Sequence, residues 1–165
     1  IYENKQTTVG DEVFLMGNTH VAHDSILGDR TILANGALLG GHVLIGDDVF
    51  IGGGTAIHQF VRIGSGAMIG GLAEISQDVA PNLLVSGRNH ACGLNNVGLK
   101  RRNVEKEDIK CLKQLYRILL LSPVNIRKLA KENLEQQNKW NSKLAHEFLE
   151  FFTTGERGFA RFQKT

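Results

Sequence analysis

From Val9 onward the chain divides into sixes: VGDEVF, LMGNTH, VAHDSI, LGDRTI, LANGAL, LGGHVL, IGDDVF, IGGGTA, IHQFVR, IGSGAM, IGGLAE and ISQDVA. All twelve hexads, ending at Ala80, open on Val, Leu or Ile. The second place is Gly, Ala or Ser except at Met16 and His58, and the fifth is always Val, Thr, Ser or Ala. A helix shows its apolar face about every 3.6 residues and a half-buried strand every two, so neither sustains a period of six. A triangular coil does. Three short strands joined by tight corners make a turn of about 18 residues, and coils stack about 4.8 Å apart with each strand paired above and below. The aliphatic first residue of each hexad then points into a dry interior column. The second and fifth places must be small because the interior and the corners are crowded, and glycine takes backbone angles closed to other residues. Twelve hexads make four coils of a left-handed parallel β-helix, and residues 1–86 are assigned to it.

The repeat dissolves after Pro81. The stretch 87–104, within SGRNHACGLNNVGLKRRN, reads as a connecting loop, and 105–165 as a helical domain. Ile109, Leu112, Leu115, Tyr116 and Leu119 trace one helical face that should stop before Pro123. Ile126, Leu129, Ala130 and Leu134 mark a second helix; Leu144, Phe148, Leu149 and Phe152 mark a third that ends at Gly155. These stripes are expected to pack as core and to cover the last coil, whose open edge would otherwise invite strand pairing.

Composition narrows the function classes. With 42% apolar residues in 165, the chain can bury one core, or one repeat array plus a small appendage. A net charge of +2 is too mild to imply a nucleic-acid surface, and no partner class follows from it. No apolar run approaches the roughly 20 residues of a bilayer span, so no membrane insertion is expected. Cys92 and Cys111 lie far apart and no secretory leader is read, which fits free thiols in a reducing, cytoplasmic setting. The chain opens on Ile1 rather than methionine, as a fragment or processed form would, and IYENKQTT is not a hexad.

GNTHVAHDS holds two histidines, His20 and His23, with Asp24 directly after the second. The coil period supplies their neighbours. One coil above His23 comes Gly41, with His42 beside it, and one further coil brings His58 and Gln59 to the same edge; His20 sits around the adjoining corner. Several imidazoles along an edge invite a metal reading. No metal is expected, because no acidic ligand stacks with them in the required geometry and side chains of successive coils fan outward. Proton chemistry is favoured over incidental surface polarity: His23 is a base, Asp24 fixes its tautomer, and a stacked Gly41 leaves a backbone N–H facing a developing oxyanion.

The run GNTHVAHDSILGDRTILANGALLGGHVLIGDDVFIGGGTAIHQFVRIG, with GLNNVGLKRR and a helical tail, resembles the UDP-N-acetylglucosamine acyltransferases that begin lipid A synthesis. That resemblance implies a homotrimer of β-helices with active sites between subunits, a 3-hydroxyacyl carrier protein as donor, and no cofactor or covalent intermediate. His23 would take the proton from the sugar 3-position, Asp24 would orient it, and Gly41 would hold the oxyanion. His20, His42 and Gln59 would contact the UDP-sugar. Asn95, Arg101 and Arg102 would reach phosphates or the carrier's prosthetic group from the next subunit. Gly71, read as lying on the levels above the catalytic edge, would be the ruler for acyl-chain length. The acceptor could be a 3-hydroxyl or a 3-amine, and His58 and His90 receive no role. Val97 stands where many members have glutamate, and GRNHACG is offset from the usual spacing. Members also carry further coils before this point. The alternatives are a hexapeptide acyl- or acetyltransferase acting on another sugar nucleotide or using coenzyme A, and a β-helix scaffold with incidental histidines.

Overall fold

The structure, a computed structural model, describes residues 6–136 and 139–162. The reading of Ile1 to Lys5 as outside the repeat falls beyond these residues. The first coil contributes β1 (Thr8–Val9), β2 (Phe14–Leu15) and β3 (His20–Val21), and the second β4 (Ile26–Leu27), β5 (Ile32–Leu33) and β6 (Leu38–Leu39). The third contributes β7 (Leu44–Ile45), β8 (Phe50–Ile51) and β9 (Ala56–Ile57), and the fourth β10 (Arg62–Ile63), β11 (Met68–Ile69) and β12 (Glu74–Ile75). These stack into three parallel faces: β1-β4-β7-β10, then β2-β5-β8-β11, then β3-β6-β9-β12. Register advances one coil at a time, Thr8 over Ile26, Leu44 and Arg62. This is the left-handed parallel β-helix expected from the hexads.

From the second coil on, the first residue of each hexad fills the interior, from Leu27 through Ile51 to Ile75, and the fifth does so too, whereas Val9 and Leu15 in the first coil are exposed. Burying each such aliphatic side chain contributes about 1.5–3 kcal/mol. The three buried polar fifth residues have their hydroxyls satisfied by the next coil: Ser25 donates to the Gly40 carbonyl (3.1 Å), Thr31 to Gly46 (3.0 Å) and Thr55 to Gly70 (2.9 Å).

The corners differ from the expectation in one respect. Left-handed backbone falls at the fourth place of the hexad, not the second: Asp24, His42, Asp48 and Phe60 have φ of 59°, 59°, 57° and 66°. Glycine at the second place answers close approach instead. A Cβ on Gly52 would lie 2.4 Å from the Gly71 nitrogen one coil above.

Past Pro81, 87–104 is not the loop the broken period suggests. β13 (Leu83–Ser86) continues the second face beside β11, and β14 (His90–Leu94) returns antiparallel to it through a turn with left-handed Gly87 and Asn89. α1 (Asn96–Arg101) follows. The three expected helices are α2 (Lys106–Leu120), α3 (Ile126–Glu135) and α4 (Lys143–Phe151). Asn125 caps α3 and Ser142 caps α4 by accepting first-turn N–H groups. Leu112, Leu115, Leu119, Phe148 and Phe152 join the solenoid interior in one continuous core. A buried ion pair ties the two parts together. Asp78, 1% exposed, accepts from the Arg62 backbone N–H (2.9 Å) and Nε (2.8 Å). The same guanidinium donates to the Thr154 hydroxyl and to the carbonyls of Phe151 and Thr154. The segment after α4 then pairs with the last coil at Asp78.

Candidate active site at the third corner

The corner between the third face and the next coil's first face carries two columns one coil apart per step. The third hexad place gives His23, Gly41, Gln59 and Gln77; the fourth gives Asp24, His42, Phe60 and Asp78. The backbone locks them in register, His42 N–H donating to the His23 carbonyl and Phe60 N–H to that of Gly41 (both 3.0 Å).

His23 is exposed over 73% of its side chain, and its Nδ1 lies 2.7 Å from Asp24 Oδ2. An ionised carboxylate only accepts, so Nδ1 carries the hydrogen and the lone pair of the neutral ring is at Nε2. The ring lies over Gly41: a Cβ there would come within 2.7 Å of Nε2. Gly41 has no left-handed φ, so it is the imidazole rather than the backbone that demands glycine. The Gly41 N–H has no acceptor among the described residues.

His42 stacks flat on Phe60 (4.8 Å, 12°) and meets His23 edge-on (5.1 Å, 88°), with Nε2 3.7 Å from Asp24 Oδ2. This corrects the argument against a metal. Asp24 does stand between the two imidazoles, because the left-handed fourth place turns both Asp24 and His42 toward the neighbouring column. One ligand atom from each of His23, Asp24 and His42 lies within 4.8 Å of the others.

Gln59 is exposed above Gly41. His58 is engaged from far along the chain: Arg157 Nη2 donates to its Nδ1 at 2.8 Å, outcompeting the longer 3.2 Å approach of that nitrogen to the Gln59 carbonyl. The guanidinium can only donate, so His58 presents its hydrogen at Nε2. Phe60 and Arg157 were both missed as site residues. HQF contained the first without a stated task, and nothing in the hexads signals the second. His20 lies on the outer side of the third face, stacked with Leu38, Ala56 and Glu74.

The remaining expected residues stand elsewhere in the chain. Gly71 is at the second corner, over Gly53 and Asn35, and not on the levels above His23. It lies two coils and two faces on, so a whole number of coils does not connect them. Asn95, Arg101 and Arg102 border a cavity of about 420 Å³ on the second face with Arg30, Asp48 and Met68. There Asn95 is a helix cap, accepting from Gly98 N–H (2.9 Å) and donating to the Gly66 carbonyl (3.0 Å). Arg102 bonds the Asn82 side chain and closes α1, whereas Arg101 is exposed. Arg30 donates twice to Asp48 (2.7 and 3.1 Å), and that hydrogen bond holds the Asp48 carboxyl below its ordinary value.

Comparison with known proteins places this geometry. Hexapeptide repeats of bacterial transferases match residues 6–41 and 42–77, and the family described as Udp N-acetylglucosamine O-acyltransferase, domain 2, matches 78–160. A solved UDP-N-acetylglucosamine acyltransferase shares 41% identity with a TM-score of 0.89 over 96% of this chain and 60% of its own. The enzymes from Campylobacter jejuni (36%, 0.86) and Arabidopsis (34%, 0.86) each match 93% of this chain and 59% and 56% of theirs. The chain thus spans well under two thirds of these relatives' length. Repeat, helical tail and similarity coincide over nearly all of it, and the chain belongs to the UDP-N-acetylglucosamine O-acyltransferase family.

Proposed function

We propose that this chain carries the acyl-transfer machinery of an enzyme that moves a 3-hydroxyacyl group from acyl carrier protein to the 3-position of UDP-N-acetylglucosamine, opening lipid A biosynthesis in the cytoplasm. The observation that carries the reading is His23 Nε2, a lone pair set by Asp24 and lying over a glycine whose N–H is unclaimed. The sugar oxygen attacks the thioester carbonyl carbon while Nε2 takes its proton. The Gly41 N–H receives the resulting oxyanion. On collapse the carbon–sulfur bond breaks, and the imidazolium returns the proton to the departing thiolate. A positioned base supplies about 10² to 10⁴ in rate and one oxyanion donor about 3–4 kcal/mol.

His42 and Gln59 hold the sugar nucleotide along this edge, and His20 reaches it from the adjoining third face. Arg101 and the Asn95–Arg102 cavity wall stand on another face, so they serve the third corner of a neighbouring copy, and a closed homotrimer completes each cleft. Gly71, at the second corner, limits acyl length from that neighbour. Purified protein is tested with UDP-N-acetylglucosamine and hydroxyacyl carrier proteins of ten to fourteen carbons. Transfer is expected to favour about fourteen, each buried methylene being worth about 0.8 kcal/mol, and Gly71→Met to move the preference toward about ten. No transfer from any carrier-protein donor would overturn the reading.

A further inference from the structure

Acid–base catalysis uses only part of what the third corner assembles. Two imidazoles and a carboxylate converge there, each offering one atom within 4.8 Å of the others. We propose that this corner binds a single zinc ion through His23, Asp24 and His42, leaving a fourth position open, and that the ion switches off His23 as a base. Binding rests on this geometry; the inhibition rests on the acyltransferase reading as well.

Zinc accepts imidazole and carboxylate at about 2.0–2.2 Å, which puts neighbouring ligand atoms of a tetrahedral site roughly 3.3–3.5 Å apart. His42 Nε2 already stands 3.7 Å from Asp24 Oδ2. His23 Nδ1 is closer to that oxygen, at 2.7 Å, because a hydrogen now lies between them. The two imidazole nitrogens, within 4.8 Å of one another, close by at most about 1.5 Å, a change shared between two side chains. His23, the more exposed, is free to make its part. The scaffold preorganises the rest. Asp24 and His42 occupy the same left-handed hexad place one coil apart, and Phe60 stacks on His42 and holds its Nε2 toward the carboxylate.

Inhibition follows from proton bookkeeping. For Nδ1 to ligate, its hydrogen must leave, and the neutral ring keeps one hydrogen by carrying it at Nε2 instead. The lone pair that would accept the sugar proton is then an N–H, with no change in the ring's charge.

Cobalt(II) serves as the visible stand-in for zinc. Titration of the purified protein should raise absorption bands of tetrahedral intensity that saturate at one ion per chain and are bleached by zinc but not magnesium. Asp24→Asn and His42→Asn, chosen because asparagine tolerates left-handed backbone, should each weaken binding at least about 100-fold, beyond the usual effect of an outer partner. His146→Asn, on α4, should not. Saturating zinc should lower turnover at least tenfold, and a chelator should restore it. In the unmutated protein, imidazole ¹⁵N spectra should show the His23 hydrogen moving from Nδ1 to Nε2 on zinc binding. Absence of a saturable band, unchanged affinity in both variants, or a His23 hydrogen that stays on Nδ1 would each overturn the site. If no donor gives turnover, the acyltransferase reading fails while the cobalt bands still decide the site.

Discussion

The first and third corners are built on the same hexad places and are put to opposite uses. At the first corner each third-place side chain reaches down one coil and takes the N–H of its counterpart: Asp29 accepts from Asp11 (2.9 Å), Asp47 from Asp29 (2.9 Å) and Ser65 from Asp47 (3.1 Å). The fourth place adds Arg30 on Asp48. Three backbone N–H groups and one guanidinium there are answered within the fold. At the third corner the corresponding residues are His23, Gly41 and Gln59, and the Gly41 N–H stays unclaimed beside an exposed imidazole. One edge uses its hydrogen-bonding capacity to hold coils together; the other leaves an N–H open beside an imidazole.

Substitution at the two edges separates these uses. The largest effect should come from His23→Ala, with turnover falling at least about 10² while the melting temperature holds, as kinetics and calorimetry on one preparation would show. Near-normal turnover would erase the distinction between the corners. Gly41→Ala comes next. Its new Cβ meets the His23 ring and not the backbone, so the fold should persist while kcat drops about 10–100-fold, the scale of a misplaced reacting group. A collapse in stability would mean that the glycine serves packing instead.

At the first corner the signs reverse. Asp47→Ala removes the acceptor for Asp29 N–H and should lower unfolding free energy by about 1 kcal/mol with turnover unchanged, measurable by denaturant titration. The smallest effect is acidic. The Asp48 carboxyl is lower in the folded chain than its ordinary 3.8, so its contribution is complete above that pH and is lost as pH falls through the folded value. The stability gap between the protein and Asp48→Asn should accordingly close in acid, and a gap that widens there would contradict the pairing with Arg30.

Much of this contrast is legible in the residues, because a coil period converts spacing directly into neighbours. His23, Gly41 and Gln59 come together by counting alone, and the helices α2, α3 and α4 follow from their apolar stripes. What escapes the count has physical causes. The left-handed fourth place has no single marker, since Asp24, Arg30, His42, Phe60 and Leu72 all occupy it. β14 lies where the period has broken, and α1, at six residues, is too short for a helical stripe to emerge. Gly71 was misplaced by treating any later hexad as a level above His23, whereas each third hexad alone returns to the same corner. The Arg157–His58 contact joins residues 99 apart, across two kinds of architecture, and no local pattern encodes it.

The left-handed fourth place also acts as a filter on what can be written along an edge. None of its eleven left-handed occupants, from Glu12 to Leu72, is Val, Ile or Thr, and the side chains that best tolerate such backbone, Asn, Asp and His beside glycine, are largely ones that move protons or bind ions. Stereochemistry therefore narrows the alphabet at each corner to letters useful for chemistry before any selection for chemistry acts. A lineage carrying this coil can rewrite an edge by single substitutions, one level at a time, without renegotiating the core, and a designer seeking a second reactive edge on the same scaffold would begin at those places.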